Sequence, residues 1–111
     1  MKIVSFFFAA VYYIYILYSI KADRYYIGHT NDPVRRLEEH NTAEKNSYSS
    51  KFRPWELKKV FEVSESRGET RKLENYMKRL KSRKEIEKLL EDESLFERIL
   101  QLVRAIPTRR D

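Results

Sequence analysis

The chain has 111 residues, of which 41% are hydrophobic and 36% charged, so it is long enough for one domain with one core and too apolar for a disordered chain. It contains no cysteine, which excludes disulfides, thiol nucleophiles and thiolate metal sites and leaves oxygen or imidazole ligands for any metal. Its net charge of +6, from 23 basic and 17 acidic residues, favours an anionic partner, of which nucleic acid is the leading candidate.

The N-terminal segment carries no charge from Ile3 to Ile20. A membrane anchor or a signal sequence is one interpretation of such a run. However, the tyrosines at positions 12, 13, 15 and 18 would bring hydroxyls without partners into a bilayer. The β-branched and aromatic residues from Val11 to Tyr18 instead favour a strand that is buried on both faces. Residues 1–10 form an apolar extension, which fits a strand extension, a packing arm or a misassigned start.

A short polar segment separates this strand from a second one at Tyr25–Thr30. The two strands are therefore expected to pair as an antiparallel hairpin. A hairpin centred near Ile20 and Lys21 places Tyr15 opposite Tyr26, so that both phenols lie on one face of the sheet.

The Asp32-Pro33 pair indicates the start of a helix, because the aspartate accepts free backbone N–H groups and proline lacks one. We expect this helix to end near Asn41 and to turn Val34 and Leu37 inward.

Arg36 and His40 of the same helix are four residues apart and therefore lie on one side of it. Residues 41–50, which follow, are rich in Asn, Ser, Thr and Lys without periodicity, so that they predict a surface loop with at most one helical turn.

Trp55 is expected to anchor the edge of the core, ahead of a third strand at Glu56–Val63 with partial alternation of apolar and polar residues. Ser66 and Glu69 have the spacing of a capping box and predict a helix from Arg67 to about Leu80. Glu74 lies at the margin of the apolar stripe of this helix, which consists of Leu73, Tyr76, Met77 and Leu80.

Two further helices are predicted near the C-terminus. The first carries Ile86, Leu89 and Leu90, and a second capping box, Ser94 to Glu97, starts the last helix near Leu95. The last helix has a wide apolar face, so that it is expected to pack on the body of the domain or on a second copy as a homodimer.

The stretch from about Tyr12 to Leu90 resembles the small stand-alone bacterial members of the GIY-YIG nuclease superfamily. Five residues carry the resemblance: Tyr15 and Tyr26 (followed by Gly28) in the two half-motifs, then Arg36, His40 and Glu74. Tyr48 and Pro54-Trp55 also match such relatives. Tyr13 replaces the glycine of the first half-motif. Some branches of the family have a later asparagine, which is missing here, because the only asparagine after Glu74 is its immediate neighbour Asn75.

The resemblance implies an α+β fold with a three-stranded antiparallel sheet flanked by helices, here over residues 11–92, with residues 93–111 as an extra C-terminal helix and tail. It implies a metal-dependent endonuclease that hydrolyses phosphodiester bonds in DNA, branched or single-stranded, in repair or recombination. The absence of cysteine favours a cytoplasmic location. Tyr15 would orient or deprotonate the attacking water, and Tyr26 would support the reacting phosphate or that water. His40 would relay the proton or hold a tyrosine, while Arg36 would stabilise phosphate charge and Glu74 would bind Mg²⁺ or Mn²⁺.

Basic residues near this motif are candidates for binding the nucleic-acid backbone. They are Lys45, Lys51, Arg53, Lys78, Arg79, Lys81, Arg83 and Lys84. The alternative is a solvated helix face, which is the usual origin of a run of charges. The sequence has no evident pattern for reading bases, so that we expect weak sequence specificity.

Each site residue also has a purely structural interpretation. The two tyrosines fit cross-strand packing, and His40 fits a helix-end histidine beside Asn41. Arg36 fits a solvated helix charge and Glu74 fits an ion pair with Lys78. His29 is interpreted as a strand-end residue beside the site. At the level of function, the alternative to an enzyme is a catalytically inactive nucleic-acid-binding module with the same fold.

Overall fold

The computed structural model describes residues 10–42, 49–80 and 82–107. One antiparallel sheet contains the strands β1 (Tyr12–Ser19), β2 (Arg24–Thr30) and β3 (Trp55–Ser64) in the order β2-β1-β3. In the described part of the chain it is flanked by the helices α1 (Pro33–Thr42), α2 (Arg67–Leu80), α3 (Arg83–Glu91) and α4 (Glu93–Ala105), and a 3₁₀ turn (Ser49–Phe52) precedes β3. The predicted α+β fold with a three-stranded antiparallel sheet is confirmed.

The central strand β1 is covered on both faces, as predicted. Four successive residues, from Ile14 to Leu17, are at most 2% exposed. Residues 1–9, the rest of the predicted apolar extension, lie outside the described residues. Within residues 10–42, 49–80 and 82–107, no helix combines the length and apolar character that crossing a membrane requires.

The two faces of the sheet carry separate hydrophobic clusters. The larger one joins Ile14 and Ile16 of β1 to the helices α2, α3 and α4. The smaller one contains Tyr15, Leu17 and Trp55, with Leu37 of α1 packed against it. Alternate residues of β1 therefore face different helices, and α1 and α2 lie on opposite sides of the sheet.

The register of the hairpin differs from the prediction. Tyr15 pairs with Gly28 rather than with Tyr26. The turn occupies residues 20–23 and includes Asp23 with a φ of 54°, so that the centre of the hairpin lies further along the chain than expected. The partner of Tyr15 is displaced by two residues along β2. An even displacement leaves every side chain on the same face of the sheet, so that both tyrosines remain on one side as predicted.

The prediction that Val34 packs inward is wrong, because its side chain is 75% exposed. Leu37 packs on the smaller cluster, and His40 is buried at 4% exposure. Asn41 binds both the backbone N–H and the carbonyl of Trp55, at 2.6 and 3.0 Å. These polar contacts fix which side of α1 faces the sheet and leave Val34 outside.

The cap of the last helix was also predicted wrongly. Asp92, not Ser94, is the N-cap of α4, and its carboxylate accepts a hydrogen bond from the Ser94 backbone N–H at 3.0 Å. Asp92 ends α3 as well, so that one residue serves both helices. At α2 the predicted cap is present, since Ser66 Oγ accepts from the Glu69 backbone N–H at 3.0 Å.

Candidate active site

Tyr15 lies at the centre of the candidate site. Its ring packs over Gly28 of β2, where a Cβ atom would lie 2.3 Å from the phenolic oxygen. The glycine of the second half-motif is therefore required by this close approach rather than by its backbone angles. Tyr26 stacks on Tyr15 with ring centroids 6.4 Å apart, so that both phenols share one face.

His40 connects Tyr15 to the 3₁₀ turn. Its Nε2 lies 2.9 Å from the Tyr15 hydroxyl, and its Nδ1 lies 2.9 Å from Ser49 Oγ. Burial, with the nearby Arg36 as a second cause, lowers the pKa of His40 to about 4. The imidazole is consequently neutral at neutral pH. No sequence pattern singled out Ser49, because it belongs to a run of similar polar residues.

The Tyr15 hydroxyl keeps its proton in this environment. Burial raises its pKa to about 12, and the neighbouring Tyr26 acts in the same direction. The Arg36 guanidinium opposes them, whereas the Glu74 carboxylate adds to the rise. All these groups therefore lie within electrostatic range of one phenol.

Arg36 faces an open cleft of about 420 Å³, here called the arginine cleft, which is also lined by His29, Arg35 and Arg67. Its Nη1 donates to Glu39 Oε1 at 2.9 Å, and its side chain is 40% exposed. The guanidinium is thus oriented by a carboxylate and still accessible to an anion in the cleft.

Glu74 projects from α2 and is largely buried, with a side chain that is 11% exposed. One carboxylate oxygen contacts His29 Nδ1, and the other lies 2.6 Å from Lys78 Nζ. The same ammonium lies 5.5 Å from the centre of the Tyr26 ring. The ion pair between Glu74 and Lys78 is present as the structural interpretation expects, but it lies beside the tyrosines.

His29 is the residue whose role the sequence reasoning missed. Side chains alternate along β2, so that His29 points away from the face of Gly28 and towards α2. This alternation, together with the predicted position of Glu74 at the margin of the apolar stripe of α2, could have indicated the contact between His29 and Glu74.

The residues present fit a divalent ion with a single protein carboxylate. Mg²⁺ is often held by one or two carboxylates together with water and substrate oxygens. Glu74 could supply one such ligand, and the Lys78 ammonium already places a cation against it. The described residues contain no group of three or more His, Cys, Asp or Glu side chains arranged for a metal, so that the site is not a closed protein cage.

Among the predicted nucleic-acid-binding residues that the structure describes, Arg53, Lys78 and Arg83 bind other groups of the chain. Arg53 Nε donates to the His40 carbonyl at 2.7 Å. Arg83 pairs with Asp23 at 2.6 Å and with Glu87 at 3.1 Å. Lys51, Arg79 and Lys84 are exposed, whereas Lys45, Tyr48 and Lys81 lie outside the described residues.

Comparison with known proteins adds one finding. A family model for the GIY-YIG catalytic domain matches residues 11–87. This range includes all three strands, α1, α2 and about half of α3, whereas α4 lies beyond it. A search of curated proteins gave no match.

Proposed function

Because the chain belongs to the GIY-YIG family, whose catalytic domains are nuclease domains, we propose that it is a metal-dependent endonuclease that hydrolyses phosphodiester bonds in DNA. One observation carries the proposal: four other groups of the family motif either contact Tyr15 or act on its pKa. Tyr26 stacks on its ring, His40 bonds to its hydroxyl, and the charges of Arg36 and Glu74 both act on its pKa. These are the residue types that phosphodiester hydrolysis needs in one place.

Arg36 binds the phosphate in this proposal. Its planar donor fork can bind two non-bridging oxygens at once, which a lysine cannot do. The ion pair with Glu39 holds the guanidinium at the edge of the arginine cleft. Negative charge that develops on the phosphoryl oxygens would therefore meet a group that is already oriented.

Tyr15 and His40 handle the proton of the attacking water. With a pKa of about 12, the phenol is protonated and can take a proton only if it gives up its own. The neutral His40 can accept that proton at Nε2, in the tautomer whose Nδ1–H donates to Ser49 Oγ. The water proton then goes to the Tyr15 oxygen while the phenolic proton goes to the imidazole.

Glu74 holds the divalent ion, Mg²⁺ or Mn²⁺, in this scheme. When bound, such an ion neutralises charge on the phosphoryl and leaving oxygens. His29 would orient the carboxylate from one side, whereas Lys78 would have to leave the other oxygen or share it with the ion.

The experiment compares cleavage of single-stranded, duplex, flapped and branched DNA by the parent, Glu74→Gln and Glu91→Gln in Mg²⁺ or Mn²⁺. Glu91 is an exposed carboxylate at the end of α3 and serves as the matched control. We expect Glu74→Gln to lose at least about 100-fold in rate and Glu91→Gln to match the parent. Binding measured without divalent ions should persist in all three proteins.

A nucleic-acid-binding module is the second candidate. The burial of Tyr15 favours it, and so do the contacts of both Glu74 oxygens with His29 and Lys78, which a metal would have to displace or share. Equal DNA binding by all three proteins with no cleavage by the parent would support the module and contradict the enzyme. Cleavage that survives in Glu74→Gln would contradict the assigned site.

The predicted homodimer through the C-terminal helix stays a prediction. Four apolar residues of α4 are buried within the chain itself: Phe96, Ile99, Leu100 and Val103. Leu102 and Ile106 remain 54% and 41% exposed. A stable interface covers about 800 Å² on each partner, so that these two side chains would need polar neighbours to complete one. Analytical ultracentrifugation of the parent and Leu102→Ala tests the assembly.

A further inference from the structure

Two open cavities lie on either side of the first turn of α2. One is the arginine cleft, to which α2 contributes Arg67. The other is a groove of about 610 Å³ between α2 and α4, here called the α2–α4 groove. Ser66 and Gly68, the neighbours of Arg67 along the chain, line this groove. The start of α2 and its cap thus contribute residues to both cavities.

Both cavities carry an excess of positive charge. The arginine cleft has three arginines and one carboxylate, Glu39, which is paired with Arg35 and Arg36. The α2–α4 groove has four cations and one carboxylate, Glu69, which is paired with Arg104 at 3.1 Å. Each of these two carboxylates is therefore already paired with arginines of its own cavity.

Three arginines of α2 lack such a partner. Among the described residues, no carboxylate lies at ion-pair distance from Arg67, Arg71 or Arg79. By contrast, Arg83 binds two carboxylates, those of Asp23 and Glu87, and Arg104 binds the Glu69 carboxylate through two nitrogens. The positive charge along α2 is consequently open to an external anion.

These arginines lie on one helical ridge. Arg67, Arg71, Asn75 and Arg79 follow one another at intervals of four residues, here called the α2 ridge. Such a row is inclined to the helix axis and over these twelve residues extends about 18 Å. It starts in the arginine cleft and continues along the α2–α4 groove. Cations repeated at regular intervals suit the repeated charge of a polyanion better than one small anion.

We propose that nucleic acid extends from the scissile phosphate at Arg36 along the α2 ridge into the α2–α4 groove. The proposal rests on the proposed function, which places the reacting phosphate in the arginine cleft. It gives α4, which lies beyond the matched range of residues 11–87, a part in holding the substrate. The contacts are to the backbone, so that they add affinity without base specificity.

The experiment measures binding of a labelled oligonucleotide, long enough to span both cavities, at several salt concentrations without divalent ions. The double variant Arg71→Gln/Arg79→Gln removes two cations from the ridge. If both contact phosphates of a duplex, the slope of log K against log salt should become shallower by about 1.8. Affinity at low salt should fall by at least about 10-fold as well.

Two controls separate the track from a general loss of charge. Lys88→Gln/Arg98→Gln removes two exposed cations of α3 and α4 that lie outside both cavities, and should leave the slope unchanged. Arg71→Lys/Arg79→Lys keeps the charge and should keep most of the slope. An unchanged slope in the glutamine variant, or an equal change in the Lys88/Arg98 control, would overturn the proposal.

Failure of the track and failure of the nuclease proposal give different results. If the parent cleaves DNA but the ridge variant keeps the full slope, the track is wrong and the nuclease proposal stands. If the parent does not cleave but the ridge variant loses slope, the track stands as a binding surface. Thermal unfolding of the ridge variant, whose substituted side chains are exposed, should match that of the parent.

Discussion

Lys78 is the residue that separates the observed site from one ready to bind a metal. Its ammonium lies 2.6 Å from Glu74 Oε2 and 5.5 Å from the Tyr26 ring centre. A divalent ion that binds Glu74 must displace this cation or share the carboxylate with it. Because the lysine side chain is 46% exposed, it can rotate into solvent or onto a substrate phosphate.

We therefore expect Lys78→Gln to bind Mn²⁺ about 5-fold more tightly than the parent, because an internal competitor worth about 1 kcal/mol is removed. Electron paramagnetic resonance of free Mn²⁺ during a titration measures this directly. Arg79→Gln removes a neighbouring charge that does not touch Glu74 and is the matched control. Equal affinities in Lys78→Gln and the parent would show that the ammonium does not compete.

Gly28 shows how a single missing side chain determines the position of Tyr15. A Cβ atom there would lie 2.3 Å from the phenolic oxygen and 2.5 Å from Cζ, so that Gly28→Ala must displace a buried ring. We expect the substitution to lower the free energy of unfolding by about 1–3 kcal/mol and to reduce cleavage. Urea unfolding and the cleavage assay measure the two effects.

Gly68 provides the comparison within the same chain. A Cβ atom at this exposed position on α2 would lie 3.9 Å from Ser66 Oγ, which is ordinary contact. Gly68→Ala should stabilise the helix by about 0.5–1 kcal/mol. Equal effects of the two substitutions would contradict the packing role of Gly28.

At the scale of the elements, α4 is joined to the sheet by one aromatic contact in particular. The ring of Phe96 stacks on that of Phe61 of β3 with centroids 4.0 Å apart and an interplanar angle of 6°. Phe96 is 2% exposed and belongs to the larger cluster. The helix beyond the matched range is therefore attached to the core of the domain that precedes it.

Phe96→Ala should lower the free energy of unfolding by about 3–5 kcal/mol, because it removes a buried ring and leaves a cavity. Leu102→Ala, at a position of the same helix that is 54% exposed, should cost less than about 1 kcal/mol. Chemical denaturation with a common m-value gives both numbers. A loss below that of Leu102→Ala would mean that α4 can detach without unfolding the domain.

The elements with strong local signals were predictable. Pro33 and Ser66 mark where α1 and α2 begin, and α2 has the predicted bounds Arg67–Leu80. The hairpin register was not predictable, since the wide turn at residues 20–23 depends on Asp23 adopting positive φ. The start of α4 was not, because Asp92 ends one helix and caps the next.

The site shows the same division. The motif brought Tyr15, His40 and Glu74 to attention by residue type and order, and the structure describes them as neighbours. His29 contacts Glu74, and Ser49 contacts His40, in each case across two different elements of the fold. Such partners follow from tertiary packing, which local patterns do not encode.

At the scale of the whole molecule, the burial of His40 makes stability depend on pH. The neutral imidazole resists protonation down to about pH 4 in the folded chain, whereas an unfolded histidine titrates near 6.5. The contribution of the neutral His40 to the free energy of unfolding is complete above pH 6.5. It is lost as the pH falls from 6.5 towards about 4, because only the unfolded chain takes up the proton in that window.

The free energy of unfolding should be about 2 kcal/mol lower at about pH 5 than at neutral pH from this group alone. Urea unfolding of the parent and of His40→Gln at both pH values isolates the term, because His29 and the carboxylates are common to the two proteins. The parent should lose more stability than the variant. Parallel losses would show that His40 is protonated equally in the folded and unfolded chains.

The contacts that flank residues 43–48 also suggest where the chain can accept foreign sequence. On one side, Asn41 is bound to the backbone of Trp55; on the other, the carbonyl of Ser49 accepts from the indole N–H of Trp55 at 2.7 Å. Both ends of the connection are thus fastened to the same tryptophan, and lengthening a tethered connection costs only about 0.6 kcal/mol for each doubling. A peptide inserted at this point should leave the contacts of Trp55 with Asn41 and Ser49 in place.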